Sequence, residues 1–212
     1  MTRPLVSLAA ILALSNVATD AAAPPTREAS LKVVQDVPAD VQAELDLTWG
    51  RFLDHFDSRR GCFDDVSVVL VPQVRGGDAR YVIDERLIEI QIPTTPARFR
   101  ESFAHELAHH VEHTCSEFVE LKAVLHPRLG GLYRAWSSGA VWEEIPSELW
   151  AEGVVQLMNG VRILHAGEMP VDASVIIAIE AWARSEGSRP ISKLRGPRQQ
   201  GSRAWRWSGR LR

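Results

Sequence analysis

The sequence predicts an α+β fold built as one helix, a small sheet and then a helical half. Three observations predict it. Apolar residues recur at three- and four-residue spacing between Val41 and Phe56, short runs rich in β-branched residues follow between positions 66 and 92, and helical spacing resumes beyond Pro96. With 212 residues and 45% apolar content, the chain has room for one domain with its own core.

Leu31 to Val34 is a short apolar stretch that suits a first strand, and Val37-Pro38-Ala39-Asp40 suits a helix start. The helix that follows carries Val41, Leu45, Trp49, Phe52, Leu53 and Phe56 on one buried stripe, and Gly61 ends the region. Val66 to Val71 reads as a strand. Arg80 to Ile83 and Leu87 to Ile92 read as two more around a turn at Asp84-Glu85. In the last of these, Ile88, Ile90 and Ile92 alternate with Glu89 and Gln91, which predicts one buried face and one wet face. Pro93 to Pro96 breaks the strand. Thr95 is placed to cap a helix from Pro96 to His113, with Pro96 at its first position. Further helices are predicted at Glu117 to Leu125, Pro146 to Met158 and Ala173 to Arg184, and no internal repeat is visible.

Both ends differ in character from this body. Residues 1–23 have the form of a signal peptide: Arg3, an apolar run from Leu5 to Leu14, and Ala21-Ala22-Ala23 as a small-residue cleavage region before Pro24-Pro25. The run is short for a membrane span, no cysteine near the cleavage region offers a lipid attachment point, and no later segment is apolar enough to cross a bilayer. These features predict a secreted, extracellular chain. Residues 187–212 hold eight Lys or Arg and no acid, so the formal net charge of −3 is the tail's +8 set against −11 in residues 24–186. An acidic body argues against a nucleic-acid-binding core, which needs clustered cations facing phosphate. The tail, rich in Arg, Gly, Ser and Pro and without periodicity, is predicted to be disordered. The predicted organisation is a signal peptide at 1–23, one domain at 24–186 and a basic tail at 187–212.

Cys62 and Cys115 are the two cysteines. In an exported protein such a pair tends to oxidise, so a disulfide is expected. It would close a loop of about 53 residues and contribute roughly 3–4 kcal/mol on the chain-entropy model. Cys115 as a metal ligand is the competing reading, weakened by the lack of a second cysteine nearby.

The predicted helix from Pro96 contains His105-Glu106-Leu107-Ala108-His109, the pattern His-Glu-x-x-His. Residues four apart lie about 6 Å from one another on one helix face, so the two imidazoles can reach a single Zn²⁺. Glu106 leaves the turn at another angle, where it can meet a water at the metal and act as general base. Phe103, Leu107, Ala108 and Val111 mark the helix as buried, and buried imidazoles need a polar partner. A catalytic zinc takes three protein ligands. His113 lies about 12 Å along the axis from His105, too far for its ring to converge with the other two, and position 112 is glutamate where a longer ligand pattern would have glycine. The third ligand must come from another element. Pro146-Ser147-Glu148-Leu149-Trp150-Ala151-Glu152 is the best source: Glu148 and Glu152 share a face, and Leu149, Trp150, Val154, Val155 and Leu157 imply that the helix is buried.

His105-Glu106-x-x-His109 followed by Ser147-Glu148-Leu149-Trp150-Ala151-Glu152 resembles the zincin metallopeptidases of the gluzincin type. The pattern is most similar to the group of the anthrax lethal factor catalytic domain and the secreted proline-specific endopeptidases. The resemblance covers roughly residues 60–160. It implies a zincin-like α+β fold in which a small mixed sheet packs on the active-site helix, His105, His109 and Glu148 as zinc ligands, Glu106 as base, and Glu152 against a ligand histidine. In that group a tyrosine shortly before the third ligand stabilises the oxyanion. Position 141 is valine here, and Tyr133, farther upstream, is the candidate for that role; His110 and His165 are weaker ones.

The function expected from these readings is a secreted zinc endopeptidase acting on peptide or protein substrates, with Zn²⁺ as cofactor and no nucleic-acid partner for the folded domain. The alternative is a zincin-like binding protein with a structural zinc, its tail engaging anionic surfaces through Trp205 and Trp207 among Arg203, Arg206 and Arg210.

Overall fold

The computed structural model describes residues 29–130, 135–160, 163–164, 167–168 and 171–184. The predicted export segment and basic tail lie outside this range. The chain begins with β1 (Leu31–Val33) and crosses through α1 (Ala39–His55) and a 3-10 turn at Asp57–Cys62 to β2 (Val66–Val71). β3 (Ala79–Val82) and β4 (Leu87–Gln91) form a hairpin around a 3-10 turn at Ile83–Glu85, closed by Arg86 in the left-handed region at φ 49°. α2 (Pro96–Thr114), α3 (Phe118–Arg128), α4 (Pro146–Asn159) and α5 (Ala173–Ala183) make the helical half. A two-stranded ladder, β5 (Ile163–Leu164) and β6 (Gly167–Glu168), lies between the last two helices in sequence and was not foreseen.

The predicted α+β arrangement is therefore borne out, with element limits within a few residues of those read from periodicity. The sheet is mixed, in the order β1-β2-β4-β3. β1 and β4 both run parallel to β2, and β3 runs antiparallel to β4, which leaves β3 on the edge. Val66, Val68 and Leu70 of β2 and Ile88 and Ile90 of β4 are buried on one face, as alternation requires. The opposite face of β4 is only half exposed, and not fully wet as expected. Glu89 pairs with Arg80 across the hairpin, and the Gln91 side chain accepts from the Val74 amide, so these polar groups are used rather than solvated.

Aromatic residues knit the helices to the sheet. Phe52 of α1 packs against Phe56 and Phe63, and Phe56 meets the edges of Trp150 and Trp182. Phe118 lies against both of those indoles. Truncating a fully buried aromatic such as Phe52 would cost about 3–5 kcal/mol, so this cluster is a main source of stability. α2 is buried on nearly every side, and α4 packs on it, with the Trp150 indole donating to the Ala108 carbonyl at 3.2 Å. The Cys62–Cys115 disulfide is present and joins the turn after α1 to the C-cap of α2. No helix among the described residues is long and apolar enough to cross a membrane.

Candidate metal centre

α2 starts where its sequence says it should. Thr95 accepts the Arg98 amide on its hydroxyl, and Pro96 occupies the first turn, where a missing N–H costs nothing. Nine residues later the helix brings His105 and His109 to one face, with their Nε2 atoms 3.2 Å apart. α4 starts at Pro146, which puts Glu148 in the first turn, where the helix dipole favours a carboxylate. Its Oε2 lies 3.0 Å from His105 Nε2 and 3.4 Å from His109 Nε2. The three residues form a group able to hold a metal ion.

Glu152, one helical turn deeper, reaches the other side of the same ring, its Oε1 2.9 Å from His105 Nδ1. His109 has a comparable neighbour in Glu112, whose Oε2 stands 3.5 Å from His109 Nδ1. His105 Nδ1 is hydrogen-bonded to Glu152 and His109 Nδ1 faces Glu112 at 3.5 Å, so a neutral ring protonated at Nδ1 would turn its Nε2 lone pair inward. With both Nε2 atoms deprotonated, two lone pairs and a carboxylate oxygen converge, an arrangement that suits a cation. The donor set suits zinc: ligands about 2.0–2.1 Å from the ion in a tetrahedron stand about 3.3 Å from one another, and the three separations here are 3.0, 3.2 and 3.4 Å.

The electrostatics agree. Burial works against a charged His105, but hydrogen bonds with Glu148 and Glu152 outweigh it and raise the pKa. For His109, burial is again outweighed, by Glu112 and Glu148, and the pKa rises to about 10. Burial pushes Glu148 up, yet the two imidazoles hold it well below the ordinary carboxylate range. Both imidazoles are thus biased toward their protonated form and Glu148 toward its carboxylate. Glu106 is buried, which raises its pKa above the usual value against the pull of both histidines, and it takes a backbone hydrogen bond from Tyr81 of the edge strand.

These groups open into a cleft of about 610 Å³, lined also by Arg80 and Tyr81 of β3 and by Ser137 and Trp142. Trp142 stacks on the His105 ring at 5.8 Å between centroids and is 36% exposed. His110, a sequence candidate, points away from the metal group. It is fully buried, its Nδ1 accepts from the Tyr81 hydroxyl at 3.0 Å and its Nε2 donates to the Asp64 carbonyl at 2.9 Å, so it fastens the edge strand to α2. Tyr133 and His165 lie outside the described residues. Sequence reasoning assigned no part to Glu112, Tyr81 or Trp142. Only Glu112 had a usable signal there, its three-residue spacing from His109.

No known family model, curated protein or solved structure matches the chain.

Proposed function

We propose that this chain is an exported zinc-dependent endopeptidase. The observation that supports it is the convergence of His105 Nε2, His109 Nε2 and Glu148 Oε2 at the floor of an open cleft, with the buried Glu106 carboxylate on the same cleft. Three donors facing a cleft suit a hydrolytic ion better than a structural one, which takes four protein ligands. When bound, Zn²⁺ supplies Lewis acidity that polarises a peptide carbonyl and makes water acidic enough to lose a proton near neutral pH.

The chain's residues do the rest. His105, His109 and Glu148 would hold the ion. Glu152 fixes the His105 ring by accepting from Nδ1. Glu106 accepts the proton of the attacking water on a carboxylate oxygen and returns it to the leaving amine. Burial suits Glu106 to this exchange, because a carboxyl whose pKa is raised is a better proton acceptor and is still able to give the proton back.

Incubating the purified chain with a mixed peptide library, with and without a chelator, tests the reading. Cleavage that stops on chelation and returns with Zn²⁺ is expected. Tight zinc retention without cleavage of any peptide would favour the binding-protein alternative.

A further inference from the structure

Glu112 and Trp136 have no part in the scheme above, yet they connect its pieces. Glu112 lies on α2 one turn beyond His109, and its side chain is only 6% exposed. A carboxylate so buried is costly unless its oxygens are used. One of them, Oε1, accepts the Trp136 indole N–H at 2.6 Å. The other, Oε2, is buried with no hydrogen-bond partner among the described residues and faces His109 Nδ1 at 3.5 Å. Trp136 is itself nearly buried, its ring edge-on to Phe118 and His126, with the Lys122 ammonium over its face. Its backbone carbonyl accepts the Ser147 amide at 3.0 Å, and Ser147 is the residue before Glu148 at the start of α4. One residue thus reaches α2 through its indole and α4 through its carbonyl.

We propose that Glu112 and Trp136 form a positioning pair for the metal site: Trp136 anchors the Glu112 carboxylate so that its free oxygen holds the His109 ring with Nε2 turned inward, and the same residue braces the turn that presents Glu148. This rests on the reading of His105, His109 and Glu148 as metal ligands. Neither member touches the ion or the substrate. Glu112 faces His109 Nδ1 at 3.5 Å where Glu152 hydrogen-bonds His105 Nδ1 at 2.9 Å, so each imidazole has a buried carboxylate on its Nδ1 side, one from its own helix and one from α4. The long 3.5 Å approach distinguishes the two, because the Glu112 oxygen is set by the indole as much as by the ring.

The test measures Zn²⁺ affinity by competition with a chromophoric chelator for the wild-type chain, Glu112→Gln and Trp136→Phe, together with the visible absorption of the Co²⁺-loaded proteins and the thermal midpoint of each metal-free chain. Glu120→Gln, at an exposed glutamate of α3, serves as control. Glu112→Gln keeps the shape and removes the charge, and Trp136→Phe keeps the aromatic packing and removes the N–H. The expected result is a tenfold to hundredfold loss of Zn²⁺ affinity in both variants with an altered Co²⁺ band, while Glu120→Gln matches the wild type. A merely structural role would lower the thermal midpoint and leave the Co²⁺ band unchanged in whatever protein remains folded, and that outcome overturns the proposal. Affinity within twofold of wild type in either folded variant overturns it as well. A wild-type chain that retains no Zn²⁺ instead overturns the metal-site reading beneath it, so the two failures are told apart.

Discussion

Glu152 Oε1 and His105 Nδ1 stand 2.9 Å apart in a fully packed part of the interface between α2 and α4, while Glu148, four residues earlier, meets the opposite nitrogen of the same ring. One imidazole is held between two carboxylates from successive turns of one helix, and the two have different work. Glu148 faces the cleft and Glu152 faces the core. Replacing Glu148 with Ala should therefore weaken zinc binding more than replacing Glu152 with Ala. For Glu152→Gln the expected loss is about 10- to 100-fold in affinity. Equilibrium dialysis against buffered Zn²⁺ measures both, and the reverse ranking would exchange the two roles.

Glu106→Gln should leave zinc content at the wild-type level and lower peptide turnover by at least about 10²- to 10⁴-fold, since the amide has no basic oxygen to accept a proton. Metal analysis beside a cleavage assay on the same preparation checks this. Turnover near wild type would remove Glu106 from the chemistry.

Tyr81 links the edge strand to α2, and the link has a pH signature. Burial raises the phenol from its ordinary value of 10 to about 12, with Arg86 pulling down and Asp64 pushing up. A group raised on folding favours the protonated native state. Its contribution is complete below pH 10 and is lost as the pH climbs through about 12. Wild-type thermal midpoints should therefore fall more steeply between about pH 10 and about pH 12 than those of Tyr81→Phe. The variant should also be less stable at neutral pH by about 1–3 kcal/mol, because His110 Nδ1 is left buried without its donor. Parallel alkaline limbs in the two proteins would contradict this account.

Changing Cys62 and Cys115 together to Ser should cost about 2–5 kcal/mol, lowering the denaturant midpoint and raising the slope, because the unfolded chain loses its cross-link and exposes more surface. Urea unfolding of both proteins gives the comparison. Equal midpoints would mean that the cross-link adds nothing to packing that already fixes the end of α1 against α4 and α5 through Phe56, Trp150 and Trp182.

Local physics made most of this molecule legible. The stripe from Val41 to Phe56, the β-branched run at Val66–Val71 and the Thr95-Pro96 start of α2 each produced the element that their spacing implies. What remained hidden depended on distant strands and loops. Nothing in Val66–Val71 says that β4 will lie beside it in parallel, because that neighbour is chosen by how the β3–β4 hairpin docks. Two acids four residues apart on α4 announced a shared face, but which one meets Nε2 follows from how deep each turn sits against α2. Glu112 offered only its three-residue spacing from His109, since its indole partner sits 24 residues away on a segment without periodicity.

The covalent link from residue 62 to residue 115 closes a ring that contains β2, β3, β4 and all of α2. The exposed bend at Arg75-Gly76-Gly77 lies within that ring. A single backbone cut there, by a foreign protease or by another copy of this chain, would open a bond without releasing a fragment. The severed halves would stay tethered through sulfur, so the fold keeps its two sides together after such a cut.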